Sequence, residues 1–142
     1  MTILDAYALI ALLADEPAAG EVVELVAAGD CAVTHVNLCE SVYVLQRTYG
    51  VGVGESRVVI APLLSEGIRE IATREATVWR ASDLRVRYYD RRVTPLSLAD
   101  CVLLAAATGD DRIATADAPV ANVARSEGIG VVALPDLSGA RP

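Results

Sequence analysis

The chain has 142 residues, 54% of them hydrophobic, which fits one domain able to bury a sizeable core. Its formal net charge is −7, from 12 basic and 19 acidic residues, so the surface as a whole repels nucleic acid, and any RNA or DNA contact needs a local basic patch or bound cations. All the basic residues are arginine, which excludes chemistry that relies on lysine, and Cys31, Cys39 and Cys101, odd in number and without C-x-x-C spacing, read as reduced core residues and not zinc ligands.

Thr2 to Leu4 is a short apolar strand candidate, ended by Asp5 and followed by the helix-favouring run Ala6 to Ala14. That run has no basic flank and is too short to span a bilayer, so a cytoplasmic protein without membrane attachment is expected. Asp15-Glu16-Pro17 predicts the start of a second helix that stops before Gly29. Cys31 to Thr34 reads as a strand and Val36 to Tyr49 as a helix, broken by Gly50, Gly52 and Gly54. A helix from Glu55 to Ser65, a strand at Ile68 to Ala72 and a long polar-faced helix from Ala76 to Arg91 follow. Beyond Pro95, Leu96 to Thr108 holds a single charged residue, Asp100, in an otherwise apolar or small run, the pattern of a buried helix. Arg112 to Thr115 reads as a strand, Ala118 to Glu127 as a helix and Val131 to Leu134 as the last strand. Strands alternating with helices imply a three-layer α/β/α sandwich with a central parallel sheet, a single domain over residues 1–134, and residues 135–142 are expected to fray.

Ligands of such sheets sit at the carboxyl edge of the strands, and that rule gathers four acids. Asp5 follows the first strand, Asp117 follows the strand ending at Thr115, Glu40 lies two turns past the strand ending at Thr34, and Asp100 is in the first turn of its helix. Local readings exist for three of them. Asp5 and Asp117 each directly precede a helix and suit N-caps, and Ser97 with Asp100 has the spacing of a capping box. Glu40, with apolar turn neighbours, needs an arginine partner or a cation. Four carboxylates at one edge repel one another and push pKa values upward unless a cation sits among them, and magnesium or manganese suits an all-oxygen cluster.

The segments ILDAYALIALLADEP, VNLCESVYVL, LSLADCVLLAAA and IATADAPVANVA resemble, in order and spacing, the four acidic blocks of PIN-domain ribonucleases, in particular VapC-type toxins of bacterial toxin–antitoxin pairs. The resemblance implies a PIN-like fold with Asp5, Glu40, Asp100 and Asp117 as the catalytic acids and Thr115 as a supporting hydroxyl. It implies Mg2+, with Mn2+ as a substitute, bound by Asp5, Asp100 and Asp117 and assisting hydrolysis of phosphodiester bonds in single-stranded regions of structured RNA such as transfer RNA. It also implies a VapB-type antitoxin and a homodimer. Ala6 and Tyr7 depart from the family pattern, in which a small hydroxyl residue or asparagine often follows the first acid.

Phospho-receiver domains and haloacid-dehalogenase-type phosphatases fit poorly, because both need a lysine and a second acid near Asp5. A non-catalytic PIN-like module that binds RNA or protein is the stronger alternative. Six arginines from Arg74 to Arg92, with Trp79, Tyr88 and Tyr89, read either as an RNA track or, preferably, as a solvated helix face partnered by Glu75, Asp83 and Asp90. His35 reads as structural. The first helix lacks a polar face, so either a partner or a second copy covers it, or its alanines are tolerated near the surface.

Overall fold

The computed structural model describes residues 1–142. Five strands, β1 (Thr2–Leu4), β2 (Cys31–Thr34), β3 (Ile68–Ile71), β4 (Arg112–Thr115) and β5 (Gly130–Ala133), pair in the order β3-β2-β1-β4-β5, and every pair is parallel. Parallel neighbours need crossovers, and seven helices supply them. α1 (Ala6–Ala14) and α2 (Ala19–Ala27) join β1 to β2, and α3 (His35–Tyr49) and α4 (Val53–Glu66) join β2 to β3. α5 (Glu75–Tyr88) and α6 (Leu98–Ala106) lead to β4, and α7 (Ala118–Ser126) leads to β5. Successive strand side chains point to opposite faces. Ile3 and Ile113 accordingly pack with Leu84, Leu103 and Val120 of α5, α6 and α7, whereas Leu4 and Ala114 pack with Leu9 and Val22 of α1 and α2. The expected three-layer sandwich results.

Local competition moves several boundaries. Asp15 takes up the left-handed conformation that closes α1, with φ 53°, so α2 begins at Ala19 and not at Pro17. α5 stops at Tyr88 because Asp90 turns the chain: its Oδ1 accepts from the Arg92 and Val93 N–H groups, and its backbone exchanges hydrogen bonds of 3.1 and 3.0 Å with Thr94. α6 is shorter than the apolar run that predicts it, because the Arg80 guanidinium donates to the carbonyls of Ala105 and Ala107 and so satisfies its C-terminal end. Leu98, 68% exposed, is the one residue of α6 not sheltered. Gly130 starts β5 against the Arg112 side chain, where a Cβ would lie 2.8 Å from Cγ.

Two expectations need correction. No residue of α1 is exposed: Ala6 and Ile10 pack against Leu45 of α3 and Ile60 of α4, so the chain itself covers this helix. Cys39 is exposed on α3, while Cys31 and Cys101 are buried. After β5, the Tyr7 hydroxyl donates to the Pro135 carbonyl at 2.9 Å, and Arg141 pairs with Glu21 at 2.6 Å. No helix is long and apolar enough to cross a membrane.

Candidate active site

From β1 the chain winds outward through β2 to β3, then returns to the other side of β1 as β4 and continues to β5. The carboxyl ends of β1 and β4 therefore flank the point where the winding reverses, and a crevice opens there. Asp5 is the first residue beyond β1, and its N–H still donates to Ala114 of β4 at 3.1 Å. Asp117 lies two residues beyond β4, α3 contributes Glu40 and α6 contributes Asp100. The four carboxylates line one pocket of about 220 Å³, with Ala6, Tyr7, Ile10 and Val44 as the rest of its lining.

Three of the acids are also helix caps. Asp5 Oδ1 accepts the Ala8 N–H at 2.7 Å, and Asp117 Oδ1 accepts the Val120 N–H at 2.9 Å. Ser97 and Asp100 form a reciprocal capping box, with Asp100 Oδ2 accepting the Ser97 N–H at 2.6 Å and Ser97 Oγ accepting the Asp100 N–H at 3.0 Å. The local reading and the site reading thus describe the same atoms: a cap commits one oxygen of each carboxylate and fixes where the group sits. The N-termini of α1, α6 and α7 are directed at these groups, and their partial positive charge offsets part of the repulsion. Thr115, fully buried, accepts the Asp117 N–H on Oγ at 3.0 Å and so ties Asp117 to the end of β4.

Helix dipoles do not complete the compensation. Burial pushes the Asp5 carboxyl up to about 7, against the Thr115 hydroxyl and the Ala8 N–H that hold it down, and the charges of Asp100 and Asp117 raise it further. Burial also raises Asp100, with Asp117 adding to the shift and Ser97 and Arg85 opposing it. Glu40 is raised by burial and by the charge of Asp100. None of the four makes an ion pair, and no basic side chain lines the pocket.

A hard divalent cation fits this donor set of carboxylate oxygens. No three of the acids stand close enough together to form a ready cage. Mg2+ does not need one, since it is usually held through one or two carboxylates with water completing the octahedron.

The remaining candidates separate clearly. Arg80 is bound to α6, Arg85 donates to the Leu96 carbonyl and stacks on Tyr89 at 3.8 Å, and Arg87 bridges Asp83 and Glu127. These three serve packing, whereas the side chains of Arg74, Arg91 and Arg92 have no such partner. His35 lies 3.2 Å from Glu70 on the exposed surface. Sequence reading missed Tyr7 as part of the pocket wall, because Tyr7 stood out only as a departure from a pattern.

The PIN-domain family model matches residues 2–134. No curated protein matches the chain in sequence. Among solved structures, a toxin–antitoxin complex from Klebsiella pneumoniae superposes with a TM-score of 0.62 at 21% identity, covering 93% of this chain and 96% of that one. VapBC2 from Rickettsia felis, bound to a DNA fragment from its promoter, gives 0.67 at 13% identity, with 92% and 96% covered. VapC20 of Mycobacterium tuberculosis, a toxin that cleaves the sarcin–ricin loop, gives 0.60 at 21% identity, with 91% and 85% covered.

Proposed function

Because the chain belongs to the PIN-domain family, we propose that it is a divalent-metal-dependent endoribonuclease, the VapC-type toxin of a toxin–antitoxin pair. The observation that carries this reading is the single pocket in which Asp5, Glu40, Asp100 and Asp117 meet with no basic side chain to neutralise them. Solved structures of similar fold include toxin–antitoxin complexes and VapC20, a toxin that cleaves the sarcin–ricin loop, and they support the same assignment. The substrate is RNA with single-stranded stretches, transfer RNA included.

Asp5 and Asp100 would hold Mg2+, or Mn2+ in its place, with Asp117 and Glu40 bound to it directly or through water. When bound, such an ion acidifies water and neutralises charge developing on the phosphate. The chain's own contributions are positional. Three caps lock three carboxylates, Thr115 steadies Asp117, and Glu40 sits half-buried near Asp100, where its raised pKa suits it to take a proton.

Without a cation, four carboxylates would also repel a phosphodiester, so the reading demands metal dependence. Purified protein should cut single-stranded RNA in Mg2+, stop in EDTA, and lose cleavage as Asp100→Asn, a change that keeps the cap. Uncut RNA in Mg2+, or unimpaired cleavage by Asp100→Asn, would leave the non-catalytic binding module as the better reading.

A VapB-type antitoxin and a second copy of the chain are the proposed partners in the cytoplasm. Exposed Tyr43, Val53, Val58 and Val59 on α3 and α4 support a protein-covered face. Relief of growth arrest by the product of the adjacent small gene tests the first partner, and the solution mass tests the second.

A further inference from the structure

A second cleft, of about 460 Å³, adjoins the acidic pocket and shares Tyr7 and Asp117 with it, the remaining walls being Ala116, Asp136, Leu137 and Ser138. We infer that this cleft is a subsite for one nucleobase bearing an amino group (adenine, cytosine or guanine), adjacent to the phosphate that is cleaved. The inference rests on the endoribonuclease reading and adds a source of sequence preference to it.

Continuity places the cleft. A strand whose phosphate lies over the acidic pocket has its neighbouring base within reach of the shared Tyr7. The walls suit a base in three respects. Tyr7 offers an aromatic ring whose orientation is fixed at its far end, because its hydroxyl donates to the buried Pro135 carbonyl. Leu137, 69% exposed, is a large apolar side chain left open on the lining of the same cleft. Stacking between an aromatic ring and an apolar side chain holds a base with little regard to its identity.

Identity comes from Asp136. Its Oδ1 accepts three hydrogen bonds, from the Ser138 N–H at 2.8 Å, the Ser138 hydroxyl at 2.7 Å and the Ala140 N–H at 3.0 Å. Those bonds keep the group ionised, so it only accepts, and Oδ2 makes no hydrogen bond within the chain. The loop that carries it is closed by Asp136 N–H to Ala140 at 2.8 Å and Gly139 N–H to Asp136 at 2.9 Å. A fixed carboxylate oxygen selects an N–H donor such as the amino group of cytosine. Uracil lacks an amino group, and its one donor, N3–H, lies between two carbonyls that would face the negative oxygen, so it binds there less well. A phosphate is a poor occupant as well, because the lining holds two carboxylates and no basic side chain.

Free nucleosides test this without any cleavage. Titrated against the full chain and followed by NMR, adenosine, cytidine and guanosine should shift Tyr7 and Leu137 resonances and bind at least about five-fold tighter than uridine. Asp136→Asn, which keeps the turn through its amide oxygen, should abolish that preference, and Leu137→Ala should weaken all four nucleosides about ten-fold. In cleavage of a random RNA pool, Asp136→Asn should redistribute the bases next to the cut. Equal binding of uridine, or absence of binding by all four, overturns the inference, as does an unchanged cleavage pattern in Asp136→Asn. Cleavage that persists in those cases leaves the nuclease reading standing, whereas nucleoside discrimination by a chain that cuts no RNA sinks that reading and leaves the base subsite.

Discussion

The acidic pocket and helix α5 carry opposite charges and treat them in opposite ways. In the pocket, Asp5, Glu40 and Asp100 are held above their ordinary pKa with no ion-pair partner. On α5, Arg80, Arg85 and Arg87 each have a carbonyl, carboxylate or aromatic ring in place, and they join α5 to α6 and α7. Charge that the fold satisfies is structural. Charge that it gathers and leaves uncompensated weakens the fold and is retained for a ligand.

Substitutions in the two regions should therefore have different signatures. After the loss of cleavage in Asp100→Asn, the largest effect on chemistry is expected for Glu40→Gln, which should lower RNA cleavage at least about ten-fold with no drop in melting temperature, read by single-turnover kinetics. Full activity would make Glu40 a bystander. Next, Asp5→Asn should stabilise the chain in EDTA. An acid raised from 3.8 to about 7 binds a proton in the folded chain that the unfolded chain has released, so its contribution is present below about pH 4 and is lost as pH rises through 7. The variant should melt several degrees above wild type at about pH 8, and the gap should close toward about pH 4. Mg2+ should then raise the melting temperature of wild type more than that of the variant.

Arg80→Ala should do the reverse of Asp5→Asn, removing two charge-assisted bonds to α6 and about 1–2 kcal/mol of stability in urea titration. Smallest of all, Arg92→Ala should alter RNA affinity less than about two-fold. A drop of about one unit in the salt slope of binding would instead move the unpartnered arginines from surface to substrate track.

Much of the fold was legible because its signals are local. The spans Thr2–Leu4, Ala6–Ala14, Cys31–Thr34 and Arg112–Thr115 match their elements residue for residue, since apolar runs, caps and glycines act within a few residues. The misplaced ends at Arg91 and Thr108 are places where one side chain competes with the helix, Asp90 from the next turn and Arg80 from another element, and the one at Pro17 follows from the left-handed backbone of Asp15. The residues of the acidic set could be named from their blocks, but Tyr7 and Asp136 could not be paired with a shared cleft.

The sequence alone determined the alternation of strand and helix and the burial of α6, because period and propensity are properties of neighbouring residues, and it offered the four acids through the sheet-edge rule and the resemblance of their blocks. Only the tertiary structure decided that β1 lies between β2 and β4, that α3 and α4 shield α1, and that Tyr7 meets Pro135 across 128 positions. Such meetings depend on strand order and crossover hand, and no local stretch of chain encodes either one.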